Sequence, residues 1–287
     1  MNNLKTTFLL AALTGLLMAI GGLFGGKSGV GLMLIISLCI NLGSYWFSDK
    51  LVLSMYNARE ITSDQGPDLF KMVAGLAHRA NLPMPRVYII DTDVPNAFAT
   101  GRSPQYGVVA VTTGIMKTLT SDELAGVIAH ELAHIKNRDT LISTIVASIA
   151  GVITWVAHMA QWSAFLGMGT RNEDSDDGGN IVSMLFTIIL APLAATLIQL
   201  GISRSREYLA DQTGGMISNQ PLALASALEK IDYYAKHRVL PSSTPSTSHL
   251  FIINPLSGSG NWMMSLFSTH PTTAERVARL REQALRR

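Results

Sequence analysis

The sequence predicts a mainly α-helical integral membrane protein, with four transmembrane helices and an α+β domain that contains a small β-sheet. Four apolar runs, each close to the roughly 20 residues that a helix needs to span a bilayer, support the membrane part. The polar segments between them repeat apolar residues at helical spacing. Short β-rich segments bounded by Pro, Gly and Asp predict the sheet.

The apolar runs form two predicted membrane hairpins that alternate with two polar parts. The predicted spans are residues 6–26 and 29–47 in the first hairpin and residues 143–168 and 181–202 in the second. The four parts of the chain are residues 1–47, 48–142, 143–202 and 203–287. A cleaved signal peptide is the alternative for the first run, but that run is long for the apolar core of a signal peptide. We therefore expect a multi-pass membrane protein.

Charge near the membrane ends predicts the orientation of the chain. Cytoplasmic segments carry an excess of Lys and Arg close to the spans. The short connection between the third and fourth runs has one basic residue, whereas the polar parts hold Lys50, Arg59, Lys136, Arg138, Arg204 and Arg206. Both polar parts and both termini are therefore predicted to be cytoplasmic. Lys27, in the first hairpin, opposes this orientation.

Composition and context exclude several classes of function. The formal charge is only +2, so there is no basis for expecting a nucleic-acid partner. Cys39 is the only cysteine, so neither an intrachain disulfide nor a Cys-based metal cluster can form. Residues 21–28 fit the phosphate-binding loop pattern, but they lie between two membrane runs rather than between a strand and a helix. His158 stands alone in the third run and is assigned a packing role.

The two polar parts contain the elements of the α+β domain. The predicted helices cover residues 64–80, 221–235 and 272–285, and the predicted strands cover residues 86–90, 96–100 and 108–112. Another helix begins near Glu207, and Gly214 is predicted to end it. Residues 241–260 are rich in Ser, Thr, Pro and Gly, which predicts a long loop.

A further helix carries the motif on which the functional prediction depends. Residues 130–134 read His-Glu-Leu-Ala-His and match H-E-x-x-H, the zinc-hydrolase signature. Positions i and i+4 lie on one face of a helix, so His130 and His134 can bind one ion. Glu131 is then placed to contact a water molecule on the zinc and to act as the general base. Thr120 and Glu123 form a capping box that starts this helix just upstream.

A catalytic zinc site needs a third protein ligand. Glu207, just beyond the fourth apolar run, is the residue to which we assign this role. Asp211 lies one turn further along the same helix face, where it can accept an N–H from a ligand histidine. The alternative for this stretch in isolation is a pair of solvated carboxylates on a surface helix. The two histidines upstream favour the metal-site interpretation.

These motifs together resemble the HtpX family of bacterial membrane proteases, which is related to the CaaX prenyl endopeptidases. The resemblance includes H-E-L-A-H followed by Asn137 and Asp139, E-x-x-x-D at residues 207–211, residues 96–99 and His270-Pro271, and it extends over essentially the whole chain. It implies a zincin-like catalytic domain of gluzincin type with one zinc ion per chain. It also implies proteolysis at the cytoplasmic face of the bacterial inner membrane.

The resemblance assigns further roles residue by residue. The substrate backbone is expected to pair with an edge strand at Asn96, Ala97, Phe98 and Ala99. His270 is expected to stabilise the oxyanion of the tetrahedral intermediate. Arg276 is expected to orient Glu207 or His270, and Asn137 to support the ligands.

The predicted function is degradation of misfolded or damaged membrane proteins under stress. The expected partners are unfolded polypeptide substrates, the lipid bilayer and other membrane quality-control proteases. Two alternatives remain at this point. One is a dedicated processing peptidase that acts on a single precursor. The other is a non-catalytic membrane protein with a structural zinc site, although such a site would be closed by a fourth protein ligand and would not need Glu131.

Overall fold

The computed structural model of the chain describes residues 2–140, 142, 204–237 and 271–286. The third and fourth predicted membrane spans and the predicted loop at residues 241–260 lie outside these residues, as do His158 and His270.

The N-terminal helix α1 (Asn2–Met55) folds back on itself at Gly26, where the backbone leaves helical geometry with φ 54°. Two features join its halves. The Asn41 side chain donates to Thr14 Oγ1 at 3.0 Å. Gly21 and Gly29 pack so closely that a Cβ on either would overlap the carbonyl oxygen of the other. Glycine is therefore required at this crossing.

Among the described residues, one helix is long and apolar enough to cross a membrane, the segment Gly26–Phe47. The apolar helix Leu10–Ala19 is shorter than a span. The predicted class of a mainly helical chain with a small sheet is confirmed for the described residues.

A four-stranded mixed sheet follows α1 and has the order β1-β2-β4-β3. Its strands are β1 (Arg59–Glu60), β2 (Arg86–Ile90), β3 (Ala97–Thr100) and β4 (Val108–Thr112). β4 is parallel to β2 and antiparallel to β3, so β3 lies at the edge. The predicted strands are present, and the short helix Pro104–Tyr106 lies in the β3–β4 connection. β1 was not predicted because two residues carry no alternation pattern.

The end of α1 covers one face of the sheet. Val52 and Leu53 are buried there against Phe98 and Val108. Tyr56 packs its ring on Phe98 at a centroid separation of 5.5 Å. The second apolar helix therefore continues directly into the packing of the edge strand β3.

Helices cover the opposite face. They are α2 (Pro67–Ala80), α3 (Thr113–Thr118), α4 (Ser121–Asn137), α5 (Arg204–Ser218), α6 (Pro221–His237) and α7 (Thr273–Leu285). α4 is central, and Val127, Ile128 and Leu132 are fully buried in the core that it shares with the other helices and the sheet. The predicted capping box at its start is present: Thr120 accepts from the Glu123 backbone, and Glu123 accepts from the Thr120 backbone.

Gly214 does not end its helix, contrary to the prediction. α5 runs on to Ser218, and Gly214 lies in its interior. A Cβ at Gly214 would come within 2.8 Å of the His130 backbone, so this glycine serves the close approach of α5 to α4. Glycine has no Cβ, so it is suited both to a helix end and to the close crossing of two helices. The sequence alone does not separate these two uses.

Gly214→Ala should therefore destabilise the fold, because the added methyl group forces α4 and α5 apart. Overpacking of this kind costs about 1–3 kcal/mol. Gly75→Ala is the matched control: Gly75 is also in a helix, but a Cβ there meets nothing within 4 Å. This control should be neutral or stabilising by up to about 1 kcal/mol. Thermal unfolding in detergent checks both, and equal effects of the two substitutions would contradict the assigned role of Gly214.

Glu123 connects the start of α4 to α6. It accepts hydrogen bonds from Ser226 at 2.6 Å and from Lys230 at 2.7 Å. Burial raises the pKa of Glu123, but these two donors and the Thr120 backbone lower it more, to about 2 from an ordinary value of 4.5. A lowered folded-state pKa contributes stability that is present above pH 4.5 and is lost as the pH falls from there towards 2.

Glu123→Gln should destabilise the protein at pH 7 by on the order of 2 kcal/mol, a figure that allows for solvent screening of the partly exposed Lys230. The difference in unfolding free energy between parent and variant should shrink between pH 5 and pH 2 as the carboxylate is protonated. Denaturant titrations across this range measure it. A difference that does not change with pH would show that the charge of Glu123 contributes nothing.

Candidate active site

The two histidines of the H-E-x-x-H motif lie on the buried face of α4. His130 is 2 % exposed and Glu131 is 6 % exposed. The spacing of four residues brings the two Nε2 atoms to within 3.2 Å of each other. The motif is therefore part of the domain core and does not lie on a solvated surface.

Glu207 on α5 completes a cluster of three donor atoms. Its Oε1 lies 3.5 Å from His134 Nε2 and its Oε2 lies 3.8 Å from His130 Nε2. Two ligands at 2.0–2.1 Å from one tetrahedral ion are separated by about 3.3 Å. The donor set His130, His134 and Glu207 therefore fits a metal ion by its own geometry.

A carboxylate lies behind each histidine ring. His130 Nδ1 is 2.9 Å from Asp211 Oδ1. His134 Nδ1 is 3.2 Å from Asp139 Oδ2. A proton on each Nδ1 satisfies these carboxylates and leaves Nε2 with a free lone pair, which is the tautomer that a metal ligand needs.

Arg276 on α7 holds Asp211 in place. Its Nε and Nη2 donate to the two carboxylate oxygens at 2.8 and 2.7 Å, and the side chain is 1 % exposed. Its Nη1 also lies 3.8 Å from Glu207 Oε2. Burial raises the pKa of Asp211, but the charge of Arg276 and its hydrogen bonds lower it more, so the net pKa is below the ordinary value. Asp211 is therefore ionised.

The charge at the site is unbalanced among the described residues. Two guanidinium groups, those of Arg206 and Arg276, lie next to four carboxylates. When all four carboxylates are ionised and both histidines are neutral, as metal ligands must be, two negative charges remain. Burying such charge is costly unless a cation compensates it, and a divalent ion supplies the required charge. The four carboxylates are Glu131, Asp139, Glu207 and Asp211.

Glu131 points at the edge strand. Its Oε2 accepts a hydrogen bond of 2.8 Å from the Ala99 backbone N–H. Burial raises the pKa of Glu131, while the neighbouring histidines and the Ala99 N–H act against that rise. A carboxyl group with a raised pKa is suited to exchange protons near neutral pH.

The orientation of β3 follows from its pairing. The Thr112 N–H donates to Asn96 O at 3.0 Å, so Asn96 faces β4. Backbone groups alternate in direction along a strand, so the N–H groups of Ala97 and Ala99 point away from β4. Asn96, Ala97 and Phe98 are buried and Ala99 is half-buried.

Two important contacts were not predicted. Asp139 was noted only as part of the motif, and Arg206 only as a charge near the membrane. Asp139 reaches His134 because Arg138 ends α4 in the left-handed conformation, with φ 59°. Arg206 lies 3.8 Å from Asp139. A non-glycine residue in this conformation has no sequence signature. Asn137 is the last residue of α4, beside these groups.

A cavity of about 1170 Å³ adjoins the site, between the ends of α4, α5 and α7. Its lining includes Asp139 and Asp211, the carboxylates behind the histidines. Among the described residues, Glu131 and the three donor residues are not part of that lining. The cavity therefore contacts Asp139 and Asp211, which lie behind the histidines, and not the donor residues themselves.

Comparison with known proteins identifies the family. The profile described as "Peptidase family M48" matches residues 63–284. This chain belongs to peptidase family M48. A "Protease HtpX homolog" of Syntrophobacter fumaroxidans is 53% identical over 277 residues, covering 96% of this chain and 98% of the relative. Another of the same name from Pyrococcus furiosus is 55% identical over 281 residues, covering 98% of this chain and 96% of the relative. The chain therefore lies in the HtpX group.

A solved structure supports the fold. The crystal structure of S. mikatae Ste24p matches with a TM-score of 0.52 and 19% sequence identity. The match covers 97% of this chain, which spans 65% of the length of that structure. The predicted resemblance to HtpX proteases is confirmed, and so is the prediction of a membrane-bound metalloprotease.

Proposed function

We propose that this M48 peptidase is a zinc-dependent endopeptidase that degrades misfolded or damaged membrane proteins, and other unfolded chains, at the cytoplasmic face of the bacterial inner membrane. The observation that carries the proposal is the convergence of His130, His134 and Glu207 beside the buried carboxyl group of Glu131. A structural metal site would have no use for Glu131, whereas hydrolysis needs a base at this position.

Zinc is the ion that these donors suit. Two imidazole nitrogens and one carboxylate oxygen, with a position open for substrate, are typical ligands of catalytic zinc. When bound by His130, His134 and Glu207, zinc supplies Lewis acidity towards the scissile carbonyl and the attacking water. The three donors converge on one point and so provide for one ion per chain.

Glu131 acts as the proton carrier. It accepts a proton from the attacking water and later gives it to the leaving amine, so that both steps use the same carboxyl group. Its hydrogen bond to the Ala99 N–H fixes the carboxyl group against β3. This bond fixes the position of the proposed base relative to the proposed substrate-binding strand.

Asp211 and Asp139 orient the two ligand histidines, and Arg276 orients Asp211 and Glu207. Loss of such support typically lowers metal affinity or activity by about 10–100-fold. We assign Asn137 to the same supporting set. His270 retains its proposed role as the donor that stabilises the oxyanion, on the basis of the family resemblance alone.

Substrate recognition is assigned to the edge strand. An extended substrate adds to β3 through the outward backbone groups of Ala97 and the outward carbonyl of Ala99, whose N–H is held by Glu131. Asn96 and Phe98 hold the strand from its other side, through Thr112 and Tyr56. Backbone recognition of this kind is tolerant of sequence, which suits removal of many damaged proteins. Other membrane quality-control proteases are the proposed partners.

Glu131→Gln should keep the metal and reduce proteolysis by about 10²–10⁴-fold, because it preserves size and removes only the base. Glu207→Ala should lose the metal as well as activity. Elemental analysis and cleavage of an unfolded membrane protein by the purified chain, with and without a chelator, measure both quantities. Glu282→Gln, a solvent-exposed change, is the control and should retain both. Substantial turnover by Glu131→Gln would contradict the proposal, and so would parental metal content in Glu207→Ala.

Proline substitutions should separate binding from chemistry on β3. Ala97→Pro removes an N–H that points towards the proposed substrate, so KM should rise while metal content and kcat are largely kept. Ala99→Pro removes the N–H that Glu131 accepts, so kcat should fall. Thermal unfolding first verifies that both variants fold. Unchanged kinetics in Ala97→Pro would count against the substrate strand.

A further inference from the structure

Arg102, in the connection between β3 and β4, is held between two aromatic rings. Its guanidinium carbon lies 4.5 Å from the centre of the Trp46 ring and 3.7 Å from that of Tyr106. Within the described part of the chain, these ring contacts are its interactions, and no hydrogen bond or ion pair occupies its N–H groups. A stacked guanidinium keeps its N–H edge directed outward, away from the ring faces.

Two contacts place this connection near the membrane, because each involves a residue close to the end of an apolar run. Trp46 lies at the end of the apolar helix Gly26–Phe47. From the other side, Thr140 donates from Oγ1 to the Gly101 carbonyl at 2.8 Å. Thr140 is three residues before the apolar run at residues 143–168. Arg102 is therefore adjacent to two places where the chain meets the bilayer.

The surface around Arg102 has the composition of a membrane interface. Trp46, Phe47 and Tyr106 are 52%, 57% and 51% exposed. The Lys50 ammonium group lies 5.7 Å from the centre of the Phe47 ring. Exposed aromatic rings combined with basic groups are typical of the headgroup region, where anionic lipids attract Lys and Arg. We call Trp46, Phe47, Lys50, Arg102 and Tyr106 the interfacial patch.

The geometry points to a lipid site: we propose that Arg102, held between Trp46 and Tyr106, binds the phosphate of an anionic phospholipid headgroup and so fixes the position of β3 relative to the bilayer. A guanidinium edge and a phosphate form paired charge-assisted hydrogen bonds. The N–H groups of Arg102, which make no hydrogen bond or ion pair with the described residues, provide such an edge.

The connection that carries Arg102 is tightly packed and leads directly into β3, the proposed substrate strand. Gly101 has φ +123°, and a Cβ there would overlap the carbonyl oxygen of Tyr106. Thr100 pairs with Val108 immediately before and after the connection. Arg102 is three residues from Ala99, whose N–H holds Glu131. A lipid bound at Arg102 therefore acts on the strand proposed to bind substrate.

Depth-dependent quenching tests the location without relying on catalysis. In a Cys39→Ser background, Gln105→Cys places one fluorophore beside Tyr106. Leu222→Cys on α6 is the control, because Gln220 contacts Asp122 at the opposite end of α4, about 22 Å from Asn137. In reconstituted vesicles, headgroup nitroxide lipids should quench the label at position 105 more than that at position 222. Equal quenching at the two positions would overturn the proposal.

Lipid dependence tests the role of Arg102. In the parent, quenching at position 105 and cleavage of a membrane-embedded substrate should rise with phosphatidylglycerol content. Arg102→Gln should remove this dependence and lower cleavage of the embedded substrate by about fivefold relative to a soluble unfolded chain. Arg281→Gln, an exposed arginine paired with Glu229, should change neither. An unaltered lipid dependence in Arg102→Gln would overturn the proposal.

A final comparison separates a lipid from a simple anion. Phosphatidylglycerol added to the detergent-solubilised parent should raise its Tm, and Arg102→Gln should abolish the rise. Inorganic phosphate at the same concentration should have a smaller effect. Equal effects of the two additives would identify a generic anion site and overturn the lipid assignment. Because the vesicle labels report position even when Glu131→Gln is also present, failure of this inference is distinguishable from failure of the proposed function.

Discussion

The close contact between α4 and α5 is the constraint on which the site depends. Gly214 lets the two backbones meet at His130, and residues 207, 211 and 214 follow one another along the same face of α5. The contact therefore brings Glu207 to the Nε2 atoms and Asp211 to the Nδ1 of His130 at the same time. A wider crossing would separate the third donor from the two histidines, although each helix could still form.

Buried charge explains much of the remaining architecture. Carboxylates in a core are costly unless each has a donor or a cation. α7 supplies Arg276 to Asp211, and α5 supplies Arg206 close to Asp139. Glu207, one of the remaining carboxylates, lies beside the two histidines of the candidate metal site. The C-terminal helix is thus part of the site, and a chain shortened before Thr273 would leave Asp211 without its guanidinium partner.

The sheet connects this chemistry to the membrane. α1 passes from an apolar helix directly onto the sheet, where Tyr56 packs on Phe98 of β3. On the opposite side, the backbone of β3 meets Glu131 through Ala99. The edge strand therefore lies between the end of the apolar helix and Glu131, the proposed catalytic base. Under the proposed function, the strand that would receive a substrate is therefore connected through α1 to the segment that would cross the bilayer.

The sequence by itself determined the elements and the chemistry of the donors. The i, i+4 spacing of His130 and His134, the capping box at Thr120 and the alternation in β4 are local patterns, and local patterns are set by backbone geometry over a few residues. The identity of Glu207 as a partner was also accessible, because a predicted ligand pair and a helix with two carboxylates one turn apart leave few choices.

Only the tertiary structure decided how separated segments meet. The role of Gly214 depends on which helix faces it, and the contact of Asp139 depends on a left-handed turn at Arg138. The contact of Arg102 with Trp46 joins positions that are far apart in the chain. The bond between Ala99 and Glu131 likewise requires the sheet to lie against α4. Such contacts arise from packing across the core. The relative position of two elements there depends on the shapes of all the side chains between them, and not on the spacing of residues within one segment.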